Sequence, residues 1–214
     1  MSHFTVAVFH RENQNVDDLL APYDENIEVA PYVKYTREQA IAKTRQEIAD
    51  FKSRCYDKYL ADPVAYAKDC SNNRHLEYLR DEFPKKLNWT DEECYQDIAK
   101  YYDDENKDAD GNIYSTYNPN SKWDWYEIGG RWSGLLTNKD GNEIDEDYVS
   151  ELVFEDDFTT FAVVLPNGRW YEEGEMGWFA MVSDEDKDWS ARYKERFLDT
   201  ADPNWILTIV DCHI

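Results

Sequence analysis

The sequence predicts an α+β protein, a single domain over residues 1–214, and three observations predict it. Short apolar runs stand at both extremes of the chain, Phe4–Phe9 and Ile206–Val210. Between about residues 36 and 103 lies a block with helical spacing and two capping boxes. After it, turn signals separate short strand-like runs. Strands first and last with helices grouped between them suit a segregated α+β layout better than alternating βαβ units. The expected core is therefore a mainly antiparallel central sheet that contains both terminal strands, with the helical segment inserted after the first.

Each element follows from its residues. Phe4-Thr5-Val6-Ala7-Val8-Phe9 has the unbroken apolar character of a strand buried on both faces. Residues 11–35 are polar and punctuated by Pro22 and Pro31, a loop with one helical turn at Val16–Leu20. Thr36-Arg37-Glu38-Gln39 opens a helix to about Tyr59, since a Thr hydroxyl can cap the third amide while Gln reaches back. Pro63 reads as its stop. A second helix is expected over Asn73–Phe83, ended by Pro84, and Thr90-Asp91-Glu92-Glu93 caps a third to about Tyr102. Lys139-Asp140-Gly141-Asn142 and Pro166-Asn167-Gly168 are hairpin signals. Trp178–Val182 reads as a strand. Ser183 with Asp186 reads as the cap of a helix to about Asp199, on which Trp189, Tyr193 and Phe197 share a face.

Composition narrows function. Asp and Glu number 46 against 23 Lys and Arg, a formal charge of −23, while 15% of residues are aromatic. That field repels nucleic acid and anionic membrane, and it would steer a protein with a basic surface toward the chain. The acidity also simply keeps an aromatic-rich protein soluble. The four cysteines form no C-x-x-C pair and read as reduced thiols of a cytoplasmic protein. No leader and no apolar run of membrane-spanning length is visible. Asn106, Asp108 and Asp110 have the spacing of half a calcium loop, but Tyr117 stands where its last carboxylate belongs. An acidic turn is the better reading, and no metal or cofactor is assigned.

The densest stretch is Asn118–Gly134, with three Trp, one Tyr, three Gly and one Arg. Its alternation is that of a strand, interrupted at Gly129-Gly130, where a bulge or a close backbone approach is expected. Trp123, Trp125, Gly129, Gly130, Arg131 and Trp132 are either a twisted core strand or a ligand pocket. In the pocket reading the walls are aromatic and Arg131 anchors an anion such as a nucleotide phosphate.

This stretch, with the opening His3-Phe4-Thr5-Val6, the segment Leu20–Asn26 and the ending Asp211-Cys212-His213-Ile214, resembles a protein family of bacteriophages and mobile elements. No established activity comes with the resemblance. It implies an accessory protein in the cytoplasm of a bacterial host. Joined to the charge, it favours an acidic protein-binding inhibitor of a host defence or nucleic-acid enzyme.

The alternative is a nucleotide-binding or phosphoesterase-like protein. Strand period two puts Asp211 and His213 on one face, and an antiparallel pair of terminal strands would set His3 beside them. Such a His/Asp/His cluster could be catalytic, shuttling protons, or could hold a metal; equally, it could be a solvated polar rim. His3-Phe4-Thr5 matches one copy of the His-x-Thr element of two-histidine phosphoesterases, and no second copy exists. Phosphate-loop, dinucleotide and nucleophile-elbow motifs are missing too.

Overall fold

The computed structural model describes residues 2–177 and 181–214. The chain forms two compact units, a sheet unit of residues 1–29 and 117–214 and an inserted unit of residues 30–116. In chain order the first elements are β1 (His3–His10), α1 (Val16–Leu20), β2 (Tyr32–Tyr35), α2 (Arg37–Phe51), α3 (Asp57–Ala61), α4 (Pro63–Asp69), α5 (Asn73–Glu77), α6 (Phe83–Lys86), α7 (Asp91–Ala99) and β3 (Ile113–Ser115). The sheet unit continues with β4 (Trp125–Ile128), β5 (Leu136–Asn138), β6 (Glu143–Ile144), β7 (Glu146–Tyr148), β8 (Leu152–Val153), β9 (Ala162–Val164), β10 (Trp170–Glu172), β11 (Glu175–Met176), β12 (Val182–Ser183), α8 (Trp189–Tyr193) and β13 (Ile206–His213).

In the inserted unit, both capping boxes form as the sequence predicts, at Thr36 and Thr90. The expected helix from Arg37 to Tyr59 is α2, a π-helical turn over 52–56, and α3. Pro63 does not stop the helical region. It occupies the first turn of α4, where its missing N–H costs nothing, and Asp62 caps that helix. Pro84 likewise lies in the first turn of α6, so helical structure runs on to Lys86. Strand β2, in a stretch read as loop, pairs with β3 from 80 residues further on, a long-range match that local patterning does not announce.

The main sheet runs β10-β9-β1-β13-β4, with β7 also on β13. Both terminal strands lie inside it. It is mixed rather than wholly antiparallel, because β1 pairs parallel with β9. β1 and β13 pair along their whole length, His3 opposite His213 and His10 opposite Ile206. Their apolar runs are continuous because both faces are covered. Even positions (Phe4, Val6, Val8, Val210, Cys212) pack with α1 and Trp123; odd positions (Ala7, Phe9, Leu207, Ile209) pack with Trp189, Tyr193 and Phe197.

Those three aromatic rings do share one face, in mutual edge-to-face and tilted contact. The predicted cap of that helix is not observed. Ser183 is paired with Glu175 in a β-ladder, and the helix begins at Trp189. Asp186 instead pairs its carboxylate with Arg192. Of the strand expected over Trp178–Val182, residues 178–180 lie outside the described residues. No helix among the described residues is long and apolar enough to cross a membrane.

Candidate functional site

The Trp-rich stretch forms the outer edge of the sheet. β4 pairs with the second half of β13 and β7 with its first half. Between them the chain leaves the ladder at Gly129, whose N–H donates to the Ile209 carbonyl, and returns at Asp145, whose carbonyl accepts from the Ile209 N–H. The excursion Gly130-Arg131-Trp132-Ser133-Gly134 is pinned by two carboxylates. Asp211 Oδ2 accepts from the Arg131 backbone N–H at 3.0 Å; Asp145 accepts from Gly134 N–H at 2.6 Å and from the Ser133 hydroxyl at 3.0 Å. This is why the glycine pair is needed. Gly129 and Gly130 have φ of +70° and +51°, and a Cβ would lie 2.4 Å from Asp145 Oδ2 or 2.5 Å from Asp211 Cβ.

The same Asp211 carboxylate reaches diagonally across the β1–β13 ladder. His3 Nδ1 lies 2.8 Å from its Oδ1. A second pair stands beside the first, with His213 Nδ1 2.6 Å from Asp124 Oδ1. The two imidazoles meet edge to face, centroids 4.9 Å apart. A carboxylate only accepts, so each Nδ1 carries the donated proton, and the chemistry is left to Nε2. His213 Nε2 is buried and has no hydrogen-bond partner among the described residues. Asp211 is almost wholly buried, while Asp124 is partly open to solvent. Two oriented imidazoles with carboxylates behind them can accept and donate protons.

The sequence marks Asp124 no differently from its many other acidic residues. Its only signal was its place before the first strand residue, Trp125, which pairs with His213. Trp125 is half exposed, and its indole meets both histidine rings edge-on at 6.3 Å. The other predicted residues separate. Arg131 is exposed on the pinned turn. Trp123 is buried in the α1-side core, its indole N–H donating to the Leu20 carbonyl. Trp132 packs against the α8-side core. Thus His3, Asp211, His213, Trp125 and the Arg131 backbone converge, whereas Trp123 and Trp132 serve packing.

Other candidates are occupied. The Cys212 thiol lies on the opposite face of β13, and burial, then Asp211, pushes its pKa well up, which makes it a poor nucleophile. Asp108 spends both carboxylate oxygens inside its own turn, on Asn112, Asp110 and Tyr114, and these bonds hold its pKa low. Among the described residues no three His, Cys, Asp or Glu are grouped to hold a metal ion. A cavity of about 290 Å³ opens beside the same strand ends, but its lining of Phe4, Lys122, Phe161, Glu172 and Ile214 belongs to the α1-side face.

The acidic residues of the main sheet are not confined to one edge. Glu172 on β10 and Glu146 and Asp147 on β7 sit at opposite edges of the sheet. Glu172, Asp156 and Asp186 pair with Lys122, Lys194 and Arg192. Compared with protein-family models, curated proteins and solved structures, the chain matches none of them.

Proposed function

We propose that the sheet unit is a phosphoesterase-like enzyme that opens a small phosphodiester by paired acid–base catalysis at His3 and His213. The observation that carries this reading is the contact of two imidazole–carboxylate dyads, with a buried and unpartnered Nε2 on His213. One Nε2 takes a proton from the attacking water as its oxygen bonds to phosphorus. The other imidazole, protonated, gives its proton to the leaving oxygen as the old P–O bond breaks. Asp211 and Asp124 orient the rings and stabilise the imidazolium that forms, and Arg131, exposed on the turn whose backbone Asp211 holds, would neutralise a phosphate oxygen. The His3-x-Thr5 element supplies one histidine of the two-histidine pattern. The partner comes from the facing strand rather than from a second copy of the element.

Turnover of a strained diester such as glycerol 1,2-cyclic phosphate tests it. Loss of either histidine to alanine should lower kcat by about 10²–10⁴-fold, the usual contribution of a positioned acid or base. Wild-type protein without turnover, or a His213→Ala variant as active as wild type, would overturn the reading.

A second reading rests on the charge of −23 and on the resemblance to phage and mobile-element proteins: an acidic inhibitor that engages a basic host protein in the bacterial cytoplasm. Salt separates the two. Screening weakens attraction between an acidic protein and a basic partner, yet it relieves repulsion between the same protein and an anionic substrate. A host protein retained from lysate at low salt and lost at high salt favours the inhibitor. A kcat/KM that rises with salt favours the enzyme.

A further inference from the structure

The geometry points to a nucleotide as the substrate class, with its base stacked on Trp125 and its phosphodiester at the two histidines. This deepens the acid–base reading and rests on it for the reaction, though not for the stacking. The position of Trp125 carries the argument. It is the first residue of β4, directly opposite His213 in the ladder, so both side chains rise from the same face of the sheet. An interior Trp would be covered, like Trp123 and Trp189 in this unit at 7% and 3% exposure. Trp125 is 50% exposed. Its ring meets both imidazoles edge to face, and β4 itself pairs only with β13 among the described residues, the segment Asp24–Asn26 bordering the chain just before it at Trp123 and Asp124.

An exposed indole beside a reactive pair is a platform for a flat group, and every nucleobase offers a π-face. With a base stacked there, a sugar phosphate directed toward β13 reaches His213, one strand spacing of about 4.8 Å away. The carboxylates behind the rings are not bare charges against that phosphate. Asp211 accepts from His3 and from the Arg131 amide, and Asp124 accepts from His213. Glu127 is the one exposed carboxylate of β4 on this face, two residues further along and opposite Asp211. It borders the site on the side away from Trp125.

The test compares two strained cyclic diesters, adenosine 2′,3′-cyclic phosphate and glycerol 1,2-cyclic phosphate, which share the reacting ring and differ in the base. The wild type should prefer the nucleotide by about tenfold or more in kcat/KM, the range of one base–aromatic stack, and Trp125→Ala should collapse that ratio toward one. Trp125→Phe, which keeps a ring, should restore part of the preference and guards against a folding defect. Adenosine binding, followed calorimetrically, reads the platform without the chemistry. Turnover of both diesters with no preference, or a preference unchanged in Trp125→Ala, overturns this inference and leaves the acid–base reading standing. Adenosine binding that depends on Trp125, with no turnover of either diester, supports the platform and overturns the acid–base reading. Neither turnover nor adenosine binding overturns both.

Discussion

The two ends of the β1–β13 ladder carry the same device in different states. At each end a histidine of β1 reaches diagonally inward to a polar residue on β13, His3 to Asp211 and His10 to Thr208. At the His10 end both ring nitrogens and the Thr208 hydroxyl are engaged. Nδ1 faces the Arg11 carbonyl, Nε2 faces the Thr208 hydroxyl, and that hydroxyl donates onward to Glu146 at 2.6 Å. At the His3 end the dyad is repeated by His213 and Asp124, and His213 Nε2 has no partner among the described residues. A closed network holds strands together, whereas an open one has a nitrogen to spare for a ligand. On the acid–base reading proposed above, what separates a structural histidine from a reactive one is the fate of its second nitrogen. Neither burial nor the presence of an acidic neighbour makes that distinction.

That contrast can be broken by substitution. The largest effect should be on turnover, where His213→Ala is expected to lose about 10²–10⁴-fold while Thr208→Val, at the closed end, keeps wild-type kinetics. Comparable losses from both variants would erase the difference between the two ends. Next in size is Gly130→Ala, which forces a Cβ against Asp211 in a backbone with φ of +51° and so presses on the open end. Urea unfolding of the sheet unit should show a loss of about 2–3 kcal/mol, and unchanged stability would mean the turn is not pinned as described. Smallest is the stability cost of Thr208→Val, about 1–2 kcal/mol, since His10 Nε2 and Glu146 each lose a hydrogen-bond partner. A neutral result there would show that the closed network contributes no more than the water it displaced.

Much of this geometry was legible in the chain. Apolar runs at both extremes imply buried neighbouring strands, and strand period two puts His3, Asp211 and His213 on one face once the pairing is antiparallel. The capping boxes were equally plain, because a cap is a contact within four residues. What the sequence hid depends on contacts far along the chain. Asp124 reads as one more acidic residue until β4 joins β13 and sets it beside His213. Trp123 and Trp125 are two apart in the same motif, yet one is core and the other is half exposed, a division made by packing against α1. Ser183 looked like a helix cap because its local pattern is right, but pairing with Glu175 claimed its backbone first. The parallel partner of β1 comes from residues 162–164, and nothing near β1 specifies it.

The central claim, that the second nitrogen of His213 is uncommitted while both nitrogens of His10 are engaged, is tested most directly by long-range proton–nitrogen NMR. The chain has only four histidines, so each ring can be assigned by single substitution, and inorganic phosphate can be titrated as the probe. The expected result is that the Nε2 resonances of His3 and His213 shift together with phosphate while those of His10 and His75 stay fixed. A His10 ring that shifts as much as His213, or a His213 ring indifferent to phosphate, would contradict the account.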